Sequence, residues 1–212
     1  MKQNVRLSVN PLAEFIYATD RRKQGIIKGQ KKPNPVIVSW YRTAKSLMTK
    51  HYKNPSDTSI IEDGLRKIKE QKPETKWQSS NKNGSIELLQ RFIKMKVPVF
   101  FKNYDVEFLK PKVKSVMLYG VEIITSPEIV FRIKEGDIWR YGAVKFHTSK
   151  SGKFDRKKSK VVSTVLKMYL KGFLAEFDPS GKVNSNYCLC VDVFNEIITN
   201  ATDDSSRTES EI

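Results

Sequence analysis

Glu128 and Lys145 are the two charged residues whose positions point most directly to chemistry. Residues 128–133 and 138–148 are rich in Val, Ile, Phe, Tyr and Trp and read as strands, whose side chains alternate between two faces. In the first, Ile129, Phe131 and Ile133 point one way, and Glu128, Val130 and Arg132 the other. In the second, Val144 and Phe146 point to the core, while Ala143, Lys145 and His147 share the opposite face. Two neighbouring strands of this kind present Glu128 and Lys145 on one side of a sheet. A carboxylate offers oxygen to a hard cation, and an ammonium steadies developing negative charge. Arg156, Lys157, Lys158 and Lys160 follow shortly, at the start of a helix, as phosphate-gripping candidates. Arg21, Arg22, Lys31 and Lys32 form a second basic segment suited to the same backbone contact. Other chemistries lack their signatures. There is no G-x-x-x-x-G-K-[ST] loop, no G-x-G-x-x-G turn and no G-x-S-x-G elbow.

These residues need elements to position them. Asn10-Pro11 is a helix start, and Leu12, Phe15, Ile16, Ile26 and Ile27 extend a helical stripe to about Lys28. Asn34-Pro35 repeats the signal before Val36, Trp40, Ala44, Leu47 and Met48. A third helix is predicted over residues 59–71, a loop over 72–84 and a fourth helix over 85–96. The character then changes to a three-stranded meander over residues 113–125, 128–133 and 138–148, broken at Ser126-Pro127 and around Gly136-Asp137. A crossover helix over 155–171 and a last strand over 184–194 complete the order. Runs of helices followed by a meander and a crossover argue α+β with a central mixed sheet. Three regions follow: a helical, basic segment 1–84, an α/β core 85–198, and an acidic, disordered tail 199–212.

An αβββαβ core with a proline-acid pair opening the second strand, and acid-x-Lys on the third, is the pattern of the PD-(D/E)XK nucleases, RecB-like members included. This chain resembles that family over residues 85–194. Pro127-Glu128 stands at the first motif and Ala143-Val144-Lys145 at the second, and Glu87 stands where the family has a helical acid. The resemblance implies a restriction-endonuclease-like fold and a Mg²⁺- or Mn²⁺-dependent deoxyribonuclease. In it Glu128 holds the metal with Glu122 or Glu87, His147 being a further candidate, and Lys145 orients water or stabilises charge. Two departures stand out. Ala143 occupies the second acid position, and the Gln-x-x-x-Tyr element is absent, since Val165 lies four residues before Tyr169. They leave open a catalytically inactive DNA- or RNA-binding module, or a subunit of a nucleoprotein complex.

Charge supports a polyanion partner under each reading. The net charge is +16, patterned as +10 over residues 1–56, +8 over 145–171 and −6 over 172–212. DNA is expected over RNA, with protein partners or self-association left open. Trp40-Tyr41-Arg42 and His51-Tyr52-Lys53 mix aromatics and bases as single-strand stacking surfaces do, although Trp40 at helical spacing suits a core. Cys188 and Cys190 alternate within an apolar strand and read as core thiols, which with two histidines leaves no zinc set. A cytoplasmic setting without membrane attachment is expected, because no apolar run approaches the length of a membrane span.

Overall fold

A computed structural model of the chain describes residues 6–31 and 41–212. The expected helix start at Asn34-Pro35, Lys32 and Trp40 lie outside the described residues, as does the side chain of Lys31. The fold is α+β, with eight helices and two sheets among the described residues.

The five-stranded sheet contains β2 (Val106–Leu109), β5 (Ile129–Glu135), β6 (Ile138–His147), β7 (Lys182–Asp192) and β8 (Ile197–Asn200), side by side in that order. β5 runs antiparallel to β2 and β6, β7 runs parallel to β6, and β8 is antiparallel to β7. Parallel neighbours need a long crossover, supplied by α7 (Arg156–Phe177), whose N-cap Asp155 accepts from the Lys158 backbone N–H. Gly142 permits the closest approach on β6: a Cβ there would lie 2.4 Å from the Phe131 ring and 2.7 Å from the Tyr187 carbonyl oxygen.

Alternation on β5, β6 and β7 gives the sheet two apolar faces. Ile129, Phe131, Val144, Phe146, Leu189 and Val191 face α3 (Arg42–Lys53), α4 (Ser59–Glu70) and α5 (Lys76–Phe92). Val130, Ala143 and Cys188 face Leu166, Tyr169 and Leu170 of α7. Helices therefore cover both faces, and residues 42–70 share one core with the sheet rather than forming a region apart from it. The short α6 (Phe100–Asn103) leads into β2 and buries Phe101 against Phe131.

A second sheet joins β1 (Arg6–Ser8), β4 (Val121–Ile124) and β3 (Ser115–Leu118). β1 is parallel to β4, and β3 and β4 form a hairpin turned by Tyr119 and Gly120, both at positive φ (47° and 80°). Residues 113–125 are thus a hairpin of the second sheet and not the first strand of the meander. That place belongs to β2, whose four residues were too short to register as a strand.

Three further expectations change. The first helix divides into α1 (Val9–Ile16) and α2 (Asp20–Lys31), with Asp20 in the first turn of α2, where an acid favours the helix dipole. α5 begins nine residues before the expected Ser85. Its start is a capping box, in which Thr75 accepts from the Gln78 backbone N–H and the Gln78 side chain accepts from the Thr75 backbone N–H. The expected disordered tail instead holds the end of β8 and a short α8 (Ser206–Glu211). It is tied down because the buried Lys167 Nζ donates to the carbonyls of Thr202 and Asp203 and to the Ser205 hydroxyl. No helix among the described residues is long and apolar enough to cross a membrane.

Candidate nucleic-acid interface

Glu128 sits immediately before β5, and its backbone N–H donates to the Val144 carbonyl on β6. This register lays its carboxylate along β6. Glu128 Oε2 accepts from the Phe146 backbone N–H at 2.9 Å, and Oε1 lies 3.4 Å from Lys145 Nζ. Lys145 also donates to the Ser126 carbonyl at 2.6 Å. Ser126 adopts a positive φ of 36°, a conformation L-residues rarely take, so the backbone beside the pair is strained. The Glu128 and Lys145 side chains are only 16% and 13% exposed.

Lys45 of α3 reaches the same carboxylate, at 3.9 Å from Oε1. Burial holds its ammonium below the ordinary lysine value; Glu128 opposes that fall and Lys145 adds to it. Beside Glu128 opens a cleft of about 280 Å³, with Pro127, Glu128 and Tyr169 in its wall and the exposed Lys53, Lys110 and Lys114 around it. Lys53 also lies over the Phe108 ring, 5.2 Å from its centroid. Two lysines therefore touch one carboxylate, and three more line the cleft beside it.

Ala143 is fully buried and shares an apolar cluster with Val130, Leu166, Tyr169, Leu170 and Cys188. The second acid position is filled by core, and a carboxylate there would be desolvated against α7.

The other expected acids are held elsewhere. Glu87 on α5 accepts from Lys150 at 2.6 Å and pairs with Arg91 at 3.4 Å; the Lys150 hydrogen bond comes first in holding its carboxyl below the usual carboxylate value. Glu122 lies in the second sheet, 2.6 Å from Arg6 and accepting from the Ser115 hydroxyl. His147 is buried with its ring stacked on Phe154, centroids 3.5 Å apart, and its Nε2–H donates to the Gly152 carbonyl at 2.7 Å. Only Glu128 and Lys145 of the expected catalytic set thus touch one another.

A Mg²⁺ or Mn²⁺ site needs several oxygen donors of net negative charge. The donors here do not fit: both Glu128 oxygens are engaged by N–H or ammonium groups, and lysines outnumber carboxylates around them. Among the described residues, no group of three or more His, Cys, Asp or Glu side chains is spaced to hold a metal ion.

The expected phosphate-gripping residues divide. Arg156, Lys157 and Arg21 are exposed and Lys158 is half-buried. Lys160 instead donates to the Asn200 carbonyl at 3.2 Å, and burial lowers its pKa; Arg22 is paired with Glu14 at 2.7 Å. Tyr52 stacks inside the core on Phe92, not outward. Lys53 of the His51-Tyr52-Lys53 segment does line the cleft, and the residues that sequence reasoning missed are Lys45, Lys110 and Lys114. A signal existed for two of them, since Lys110-Pro111-Lys112-Val113-Lys114 places a lysine at every second residue.

No protein-family model matches the chain, and no match to a curated protein was found.

Proposed function

We propose that this chain binds nucleic acid through the lysine-lined cleft at Glu128, on a core of PD-(D/E)XK-like design whose metal-binding acids are incomplete. The observation that carries the reading is the pairing of Glu128 with both Lys145 and Lys45, beside a cleft that Lys53, Lys110 and Lys114 line together with Glu128. Such an excess of ammonium groups in a half-enclosed cleft attracts phosphates and repels divalent cations. The buried, apolar surroundings of Ala143 support binding without cutting. DNA is the partner favoured from sequence.

A metal-dependent deoxyribonuclease is the second reading. Two observations favour it: a mixed five-stranded sheet with a crossover helix, in keeping with an αβββαβ core, and the Glu128–Lys145 juxtaposition. One experiment tests both. End-labelled single- and double-stranded DNA is incubated with the protein, with and without Mg²⁺ or Mn²⁺, beside Glu128→Gln and a Lys53→Gln/Lys110→Gln/Lys114→Gln variant. Binding without cleavage, weakened in the triple variant, is the expected result. Metal-dependent cutting abolished by Glu128→Gln would replace the first reading with the second. Absence of DNA binding would overturn the second reading and, together with absence of RNA binding, the first.

A further inference from the structure

Beside the cleft, α7 and the β3 segment enclose a larger groove of about 680 Å³. One wall is an aromatic ladder. Tyr169, Phe173 and Phe177 stand four residues apart, which puts them on one face of α7. Their rings are nearly parallel: Tyr169 and Phe173 are tilted by 18° with centroids 6.5 Å apart, and Phe173 and Phe177 by 19° at 4.7 Å. The Tyr169 hydroxyl donates to the Val113 carbonyl at 2.9 Å and ties the ladder to the opposite wall. That wall carries Val113 and Met117, which are 60% and 56% exposed, as Phe177 is 52% exposed. Lys110 and Lys112 line the same groove, with Glu176 its one carboxylate.

The groove and the lysine cleft adjoin, sharing Leu109, Lys110, Pro111 and Tyr169 in their walls. A ligand lying across both meets the exposed Phe177 ring, Val113 and Met117 next to a line of ammonium groups. A duplex keeps its base faces inside and offers phosphates alone, whereas an unpaired strand offers both. From this juxtaposition we infer that the Tyr169–Phe173–Phe177 groove receives unstacked bases of a single-stranded nucleic acid whose phosphates are held by Lys110, Lys112 and Lys114. The inference rests on the function proposed above and narrows its substrate to single strands.

The test is fluorescence anisotropy of labelled oligomers of roughly 15 nucleotides: a dT strand, an rU strand, an abasic deoxyribose-phosphate strand and a mixed-sequence duplex. The full chain is compared with Phe177→Ala and Phe173→Leu. Each base that stacks on an aromatic ring contributes about 5- to 150-fold to affinity. The dT or the rU strand should therefore bind at least about fivefold more tightly than the abasic strand and the duplex. Phe177→Ala should remove much of that preference while leaving duplex affinity unchanged. The arms separate DNA from RNA, and either one supports the inference. Because the abasic comparison uses the unmodified protein, it stands even if a variant folds poorly. Equal binding of abasic, duplex and base-bearing strands overturns this inference but leaves the lysine cleft intact. Failure to bind any of the four overturns the broader reading as well. A concentration-dependent dimer that Phe177→Ala abolishes would make the groove a self-association face and also overturn it.

Discussion

His147 and Asp192 lie opposite one another on the parallel strands β6 and β7, and each fastens the same loop by a different bond. His147 Nε2–H donates to the Gly152 carbonyl, and Asp192 Oδ2 accepts from the Phe154 backbone N–H at 2.6 Å. Asn195 closes the arrangement from the other side, its side-chain amide donating to the Phe154 carbonyl at 2.6 Å. The loop of residues 148–155 leads from the Lys145 strand into α7, so this clasp fixes how the basic start of that helix is presented.

The clasp has a pH signature. Burial holds the His147 pKa below its ordinary value; the Gly152 hydrogen bond and the charges of Asp192 and Glu14 oppose the fall, and Lys45 adds to it. The unfolded chain then takes up a proton at His147 near pH ~6.5, before the folded protein does. Stability contributed by neutral His147 is complete above that pH and declines as pH falls toward the lowered folded value. Melting temperatures measured from pH 8 to pH 5 should drop more steeply for the native protein than for His147→Asn. Parallel pH profiles would show that His147 is not the group responsible.

The Glu128–Lys145 pair should behave as a coupled unit. Glu128→Leu leaves the Phe146 N–H without its acceptor and Lys145 with the Ser126 carbonyl but no countercharge, at a cost of about 1–3 kcal/mol. Glu128→Gln keeps an acceptor for Phe146 and should cost less. Combined with Lys145→Met, Glu128→Leu should be milder than the two single effects added, by roughly 1 kcal/mol. Urea denaturation of the four proteins of the cycle measures this, and strict additivity would mean the pair contributes nothing of its own.

Both cysteines should be silent in the folded protein. Burial pushes the Cys188 and Cys190 thiols up to about 12, and each is fully buried. A thiol reagent at neutral pH reacts through the thiolate, so labelling should proceed only as fast as the protein opens. Prompt modification of either cysteine under native conditions would contradict the burial described.

Thr75→Ala should lower stability by about 1 kcal/mol, the usual loss for an N-cap, and should fray the first turn of α5. Amide exchange at Gln78 reports it directly, since its N–H donates to the Thr75 hydroxyl.

If the lysine cleft holds phosphates, salt will reveal how many. Each of Lys53, Lys110 and Lys114 that neutralises one phosphate should, on replacement by Gln, reduce the slope of log affinity against log salt by roughly 0.7–0.9. Unchanged slopes would move the contact away from this cleft.

What could be read from the sequence follows from how local each signal is. Strand alternation placed Glu128 and Lys145 on one face, because side-chain direction in a strand repeats every two residues. The crossover helix and the two core cysteines were legible for the same reason. β2 was not, since its four residues owe their pairing to β5 and not to their own pattern. The hairpin at Tyr119-Gly120 was absorbed into one long strand because its turn contains a tyrosine at positive φ, which composition does not announce. Lys160 reads from sequence as a phosphate contact, but it and Lys167 are engaged by carbonyls that lie 35 to 40 residues away in sequence. Lys45 reaches Glu128, and Lys53 the cleft, from α3, which only the packing of that helix on the sheet could reveal.

The parallel pairing of β1 with β4 sets an order on the birth of the fold. Leu7 finds its partner Ile123 only after more than a hundred intervening residues have been made. At a synthesis rate of ~5–20 residues per second, β1 waits roughly 6–25 s with its hydrogen-bonding edge unsatisfied. α3, α4 and α5 emerge in that interval and can collapse on local contacts, but the sheet they cover arrives after them. The ribosome thus releases the helical layer before the strands that complete the cationic cleft.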